Sequence, residues 1–170
     1  DQSSDQRRRF NLKEYLGEIL DSLLPSLKRT GHVIELVCPD DIVVDNFPGA
    51  LSQIISNLVM NSLQHGFEGI ANGRIKIALV VVDHDIVMNY SDSGRGMNEV
   101  QARRVFEPFF TTRRGQGGSG LGMHVVYNLV TQTMHGRIEC RSAPDRGAAF
   151  QIVFPVELAQ DSSASPAAIR

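Results

Sequence analysis

The stretch RIKIALVVVDHDIVMNYSDSGRGM, residues 74–97, decides the fold. Ile75, Ile77, Leu79 and Val81 alternate with Lys76, Ala78 and Val80, the period of a strand with one face in a core. Asp83 and His84 supply a turn, and Ile86 to Ser91 runs back, so the pair predicts a hairpin. The returning strand leads straight into Asp92-Ser93-Gly94-Arg95-Gly96-Met97. A carboxylate at a strand end, with glycines soon after, lets a ligand approach the backbone closely. The same residues also suit a tight turn opened by Asp. A fixed Asp there accepts from the 6-amino group of adenine and repels guanine, which presents an acceptor at that place.

Outward from the hairpin, helices and strands keep apart. Asn11 and Glu14 form an N-x-x-E capping box. Behind it Leu12, Leu16, Ile19, Leu20, Leu23, Leu24 and Leu27 recur at helical spacing until Gly31. A short strand over His32 to Val37 and an apolar run at Ile42 to Val44 follow. Pro48 opens a second helix, whose apolar face carries Leu51, Ile54, Ile55, Leu58, Val59 and Ser62, with Gly66 as its stop. Beyond the hairpin, residues 92–119 are long and irregular, a pattern that in a compact domain marks function or mobility. A third helix is predicted from about Leu121 to Met134. Strands at Arg137 to Ser142 and Ala149 to Val156 are joined by a turn at Pro144 to Gly147. The segregation predicts an α+β two-layer sandwich: a mixed, mostly antiparallel sheet on about three helices.

The 170 residues allow one domain with a sizeable core, and leave no room for two. Lys and Arg total 17 against 19 Asp and Glu, a net charge of −2, which argues against a broad nucleic-acid face. Cys38 and Cys140 form no CxxC and no metal spacing, and read as buried thiols of a reducing compartment. No apolar run approaches the roughly 20 residues of a membrane span. The polar start, DQSSDQRRR, reads as a linker or a helix end, and residues 160–170 as a loose tail.

Three further features carry chemistry. Asn57 and Asn61 stand four apart on the second helix, hence one turn apart on one face. Amide oxygens there suit Mg²⁺, which keeps waters and bridges to phosphate; a buried amide network is the other reading. Three phenylalanines, Phe106, Phe109 and Phe110, fall in five residues, and Arg103, Arg104, Arg113 and Arg114 give that neighbourhood a charge of about +3. The arginines meet phosphate, or they are solvated charges on a short amphipathic helix. Last, GQGGSGLGM opens the third helix, and glycines before a helix free backbone N–H groups for phosphates. Neither a Rossmann fingerprint nor a Walker A loop is present.

In this order the features resemble the ATP-binding catalytic domain of sensor histidine kinases, of the GHKL superfamily (Bergerat fold, HATPase_c) shared with gyrase, the MutL mismatch-repair protein and a heat-shock chaperone. NLVMNSLQHG resembles its N box, DSGRGM its first glycine box, FEPFF its F box and GGSGLGM its second glycine box. RGAAFQIVFP resembles the final strand region, so the likeness runs from about Phe10 to Val156. FEPFFTT is similar to the nitrogen-regulation branch.

The resemblance implies roles for residues. Asn61 would coordinate Mg²⁺ on the ATP phosphates, with Asn57 in the same cluster. Asp92 would accept from adenine N6, Gly94 would lie against the base, and Gly96, beside Met97, would hinge a lid anchored by Phe106, Phe109 and Phe110. Gly118, Ser119, Gly120, Leu121 and Gly122 would cradle the triphosphate. Many members carry a Lys or Arg where Gln64 stands here, followed by His65; Gln64 can donate to phosphate but brings no charge, which Arg113 or Arg114 would supply. Thr111 and Thr112 fall in the same nucleotide-contacting segment. His124 is the other unusual position, touching phosphate or, more blandly, lying on the helix surface.

ATP-hydrolysing relatives carry a Glu four residues before the Mg²⁺-binding Asn; here Asn57 stands there, and an amide cannot act as general base. The γ-phosphate would then pass to a histidine on a helical dimerisation domain. None of His32, His65, His84, His124 and His135 is followed by the H-E/D-x-R-x-P-like box of such a phosphoacceptor. The expected organisation is a linker at 1–10, the ATP-binding domain at 11–157 and a tail at 158–170. Its expected partners are ATP, that helical domain and, through it, a response regulator, with no nucleic acid and no membrane contact; the expected location is the cytoplasm. A GHKL ATPase, an anti-sigma-type serine kinase and a nucleotide-binding module without transfer are the alternatives.

Overall fold

A computed structural model describes residues 6–111 and 120–158. Seven strands and four helices run in the order β1 (Arg8–Asn11), α1 (Leu12–Thr30), β2 (Val33–Val37), β3 (Val43–Asn46), α2 (Pro48–Asn61), β4 (Arg74–Val82), β5 (Asp85–Asp92), α3 (Glu99–Arg104), α4 (Gly122–Asn128), β6 (Arg137–Ser142) and β7 (Ala148–Pro155). Five strands form one sheet in the order β2-β4-β5-β7-β6, with β2 and β4 parallel and the other pairs antiparallel. This is the mixed two-layer α+β sandwich expected.

The β4–β5 hairpin forms in the register Ile77↔Tyr90 and Ile75↔Asp92. Ile75, Ile77 and Leu79 of β4, Ile86, Met88 and Tyr90 of β5, and Phe150, Ile152 and Phe154 of β7 turn the same way and are buried. Against them lie α2, through Leu51, Ile54, Ile55 and Leu58, and α4, through Met123 and Val126. The alternation fails at the end of β4, where Val81, expected inward, is 47% exposed.

Helix α1 begins as its sequence dictates. The Asn11 side chain accepts from the Glu14 N–H at 3.0 Å, and Gly31 closes the helix at φ 73°. Pro25 sits inside the helix and Leu24 is 41% exposed, so the buried face narrows to Leu12, Leu16, Ile19 and Leu27. Pro48 opens α2 as expected, though Phe47 before it offers no side-chain cap.

The folded unit is wider at both ends than composition suggests. Arg8–Asn11, read as linker up to residue 10, pair antiparallel with β3. Arg7 donates to the Asp45 carboxylate at 2.9 Å and to the Leu158 carbonyl, and the Leu158 N–H donates to Asp45 O at 3.2 Å. Leu158, assigned to the tail, is buried. Part of the polar start read as a linker or a helix end thus forms a two-stranded ribbon with β3. The hydrogen bond from Arg7 holds the Asp45 carboxyl below its usual range.

Both cysteines are free. Burial raises the Cys38 thiol, and burial followed by the charge of Asp92 pushes Cys140 up to about 12. Because the thiolate is the nucleophile, iodoacetamide at pH 8 is expected to leave both cysteines unmodified in the folded chain and to label both in denaturant, read by intact mass. Rapid labelling of Cys140 under native conditions would contradict its placement.

Candidate functional site

Helix α2 does not stop at Asn61. It widens into one i→i+5 turn over Ser62–Gly66, closed by the Phe67 N–H on the Ser62 carbonyl at 2.8 Å. Such turns recur where a helix must re-aim side chains at a site. Asn57 and Asn61 lie half-buried before it, His65 half-buried and Gln64 exposed within it. The Asn57 amide donates to the Gly122 carbonyl at 3.2 Å, tying α2 to the first residue of α4. Its nitrogen is thus used structurally, as the amide-network reading has it, which leaves its oxygen for other use.

Asp92 ends β5 and is 8% exposed. Its Oδ1 accepts from the backbone N–H groups of Gly94 and Ala148, each at 3.0 Å, and its Oδ2 accepts from the Ser62 hydroxyl at 2.7 Å. Three internal donors fix the carboxylate. Space beside Oδ2 is kept by Gly66, where a Cβ would lie 3.1 Å from that oxygen. Oδ1 thus organises the loop, as the turn reading of Asp92 has it, and Oδ2 retains acceptor capacity.

The first glycine box packs on its own chain. The Arg95 N–H donates to the Gly66 carbonyl at 2.7 Å, and a Cβ on Gly94 would lie 2.5 Å from that oxygen. The space at Gly94 assigned to a base is taken on this side by backbone. Gly96, expected as a hinge, sits at φ 68° where a Cβ would lie 2.0 Å from the Ala143 carbonyl oxygen, so the position admits only glycine. Met97 is held by its N–H on the Ser142 hydroxyl at 2.8 Å, its half-buried side chain against the core.

The phenylalanine segment differs from the expectation. Asn98 and Gln101 make a reciprocal capping box that starts α3, so the stretch is partly helical. Arg103 pairs with Glu99, and Arg104 with Glu107 at 3.0 Å. Both arginines are exposed and pair with acids of their own segment, as the helix-charge reading has it. Of the phenylalanines only Phe106 anchors into the domain, 6.2 Å from Phe150 and 5.5 Å from Tyr127 between ring centroids. Phe110 lies under the Arg104 guanidinium at 4.6 Å. Phe109 is 61% exposed at positive φ; its backbone N–H, not its ring, holds the segment by donating to Gly120 O at 2.9 Å.

His124 is a structural residue. Its Nδ1 lies 3.2 Å from the Phe106 carbonyl and its Nε2 3.2 Å from the Asn128 amide nitrogen, which sets the tautomer with the proton on Nδ1. At the second glycine box, a Cβ on Gly120 would lie 2.5 Å from the Phe109 backbone, so chain packing requires that glycine. Gly122 is different: a Cβ there meets nothing within 4 Å. Leu121 is half-buried beside it, and Thr111 is half-buried at the edge of the segment. Thr112, Arg113, Arg114, Gly118 and Ser119 lie outside the described residues.

Among the predicted residues, Asn57 and Gly122 are brought into direct contact, and Asp92 and Gly94 are joined through the Gly94 N–H. Three participants were not singled out: Ser62, Tyr90 and Gly147. Ser62 carried a signal, a hydroxyl on an otherwise apolar helix face. Tyr90 carried none, since strand alternation places it with Ile86 and Met88 as core. Among the described residues no group of three His, Cys, Asp or Glu could hold a metal alone.

Comparison with known proteins agrees with this architecture. Residues 47–158 match the family described as histidine kinase-, DNA gyrase B- and HSP90-like ATPase. The chain belongs to that family. It is 31% identical over 147 residues to sporulation kinase A of Bacillus subtilis (strain 168), covering 86% of this chain and 23% of that one. It is 30% identical over 171 residues to the autoinducer 2 sensor kinase/phosphatase LuxQ of Vibrio cholerae serotype O1 (strain ATCC 39315 / El Tor Inaba N16961), covering 94% and 19%. The chain thus spans about a quarter or less of these sensor kinases. In fold it is similar to the catalytic domain of histidine kinase ThkA, with a TM-score of 0.78 at 24% identity, covering 89% of this chain and 97% of that one. No helix among the described residues is long and apolar enough to cross a membrane.

Proposed function

We propose that this chain is the ATP-binding catalytic domain of a sensor histidine kinase, which binds Mg-ATP and donates the γ-phosphate to a histidine on a separate helical dimerisation domain. The observation that carries the reading is Asp92: a nearly buried carboxylate, fixed by three donors, with acceptor capacity left on Oδ2 beside a glycine. That suits the 6-amino group of adenine. Asn61, with Asn57 one turn before it, would hold Mg²⁺, and an amide oxygen fits a cation that keeps its waters and bridges to phosphate. Bound Mg²⁺ would neutralise charge on the phosphates during transfer. Asn57 offers no base to activate water, so the domain positions ATP for an outside nucleophile. A response regulator would receive the phosphate from the helical domain, and the reaction would take place in the cytoplasm.

The test mixes the chain with radiolabelled ATP, with and without Mg²⁺, and with a sensor kinase's helical dimerisation domain. Acid-labile, Mg²⁺-dependent label on that domain's histidine is the expected result. Steady phosphate release without acceptor would make the chain an ATPase, label on serine a serine kinase, and binding alone a nucleotide-sensing module.

Gly122 gives a sharper check. Its Cβ position is empty, and Ala is favoured over Gly in a helix by about 1 kcal/mol. Gly122→Ala is expected to melt no lower than the wild type while binding ATP several-fold more weakly, because the methyl stands where phosphate approaches the helix backbone. Unchanged affinity by calorimetry would remove Gly122 from the site.

A further inference from the structure

Four oxygens form a chain behind the Asp92 carboxylate. The Leu58 carbonyl lies 3.0 Å from the Tyr90 hydroxyl, the Tyr90 hydroxyl 2.6 Å from the Ser62 hydroxyl, and the Ser62 hydroxyl 2.7 Å from Asp92 Oδ2. There are three gaps and, beside a carboxylate, two hydroxyl protons to fill them. The Leu58 carbonyl already accepts the Ser62 backbone N–H, so it is the oxygen that can do without. The Tyr90 proton then occupies the shortest gap, and the Ser62 proton points at Asp92. Burial holds the Tyr90 hydroxyl far above its ordinary value, so the phenol keeps its proton. Tyr90 is fixed in turn by edge contact with Phe150 at 6.2 Å and by the register that sets it opposite Ile77 and Phe150.

We propose that Ser62 and Tyr90 are positioning residues that set the base specificity of the site: the Ser62 hydroxyl, backed by that of Tyr90, fixes Oδ2 where an incoming base meets it as an acceptor, which selects a 6-aminopurine over a 6-oxopurine. The inference rests on the nucleotide-binding reading above and adds residues two layers behind the base. Hydroxyl chains aligned toward a charge reinforce one another. Without the Ser62 donor, Oδ2 loses the one side-chain contact that fixes its position, and a base presenting an oxygen at position 6 is rejected less sharply.

The experiment measures ATP and GTP affinity of the full chain by calorimetry for wild type, Ser62→Ala, Ser62→Thr, Tyr90→Phe and the Ser62→Ala/Tyr90→Phe double variant, with melting temperature alongside. Ser62→Ala is expected to lower the ATP-to-GTP preference about tenfold, the scale of one hydrogen bond to a charged group. Ser62→Thr keeps the hydroxyl and the preference. Tyr90→Phe, which retains the ring and its packing, shifts the preference in the same direction by less. The double variant matches Ser62→Ala, because Tyr90 acts only through Ser62. If folded Ser62→Ala and Tyr90→Phe melt lower yet keep the wild-type preference, the residues are merely structural and the inference is overturned. An additive double variant overturns it as well. A wild-type chain that binds neither nucleotide overturns the underlying reading instead, whereas a wild type that prefers ATP leaves these variants to decide the inference alone.

Discussion

Asp92→Asn is expected to lose ATP binding by roughly 10- to 100-fold, the scale of a hydrogen bond to a charged group, and to melt no lower than the wild type. Both halves follow from proton counting. With Asn, the side-chain oxygen can keep the Gly94 and Ala148 N–H groups, each now 3.0 Å from Oδ1. The amide nitrogen then replaces Oδ2 and donates to Ser62. Ser62 donates to Tyr90, and Tyr90 to the Leu58 carbonyl, so all three gaps hold a proton. A carboxylate 8% exposed is also replaced by a neutral group, which relieves desolvation. The interior is better satisfied than before, while the site shows a donor where adenine N6 also brings one. Calorimetry with ATP and a thermal melt of the same sample check the two halves together. A folded variant with unchanged affinity would remove the base-binding role from Asp92. A sharply lower melting temperature would show that Asn cannot keep the Gly94 and Ala148 contacts. A substitution that abolishes binding while the fold holds or gains is the signature of a residue kept for function at the expense of stability.

How much of this was legible in the sequence depends on the length scale of the cause. The hairpin of β4 and β5 was readable because alternation is a local pattern, and so were the Asn11 and Gly31 ends of α1, where the cap residue is the signal. Strand β1 was not, because Arg8–Asn11 become a strand only through pairing with β3 some 35 residues later; nothing within RRRFN announces it. The wide turn after Asn61 was likewise invisible, since its i→i+5 bond is favoured by what Ser62 and Gly66 touch on β5 and its loop. Within the site, residue types pointed to Asp92 and the paired asparagines. The arginines left two readings open, because charge alone does not distinguish Arg103 facing Glu99 from an arginine facing phosphate. The glycine boxes were legible as motifs, but what each glycine packs against was not. Gly94, Gly96 and Gly120 are required by the chain's own backbone, and of the described glycines in the two glycine boxes only Gly122 has room that the protein itself does not use.

That distinction gives the largest expected loss of stability, at a glycine outside both glycine boxes. Gly147 sits at φ 66° in the turn before β7, and a Cβ there would lie 1.9 Å from the Asp92 carbonyl oxygen and 3.0 Å from its carbon. Neither atom is the end of a flexible side chain: both belong to β5, whose Asp92 is in register with Ala148. Gly147→Ala must therefore push β7 from β5 where the Ala148 N–H meets Asp92 Oδ1. Left-handed backbone costs a non-glycine residue about 1–2 kcal/mol, and overpacking adds about 1–3 kcal/mol, so about 2–5 kcal/mol is lost in all. In a chain of this size, about 2–4 °C per kcal/mol puts the melting temperature lower by about 10 °C. ATP affinity falls with it, because the displaced carboxylate is the one proposed to hold adenine. Gly69→Ala separates the two contributions: it has the same backbone sign, φ 72°, with nothing within 4 Å of its Cβ. Gly69→Ala should show the conformational cost alone and keep ATP affinity, and Gly147→Asn, tolerant of the left-handed region but still bearing a Cβ, should melt nearly as low as Gly147→Ala. If Gly147→Ala and Gly69→Ala melt together, the contact with the Asp92 carbonyl is not what makes position 147 a glycine, and the β5–β7 junction is more yielding than its register implies.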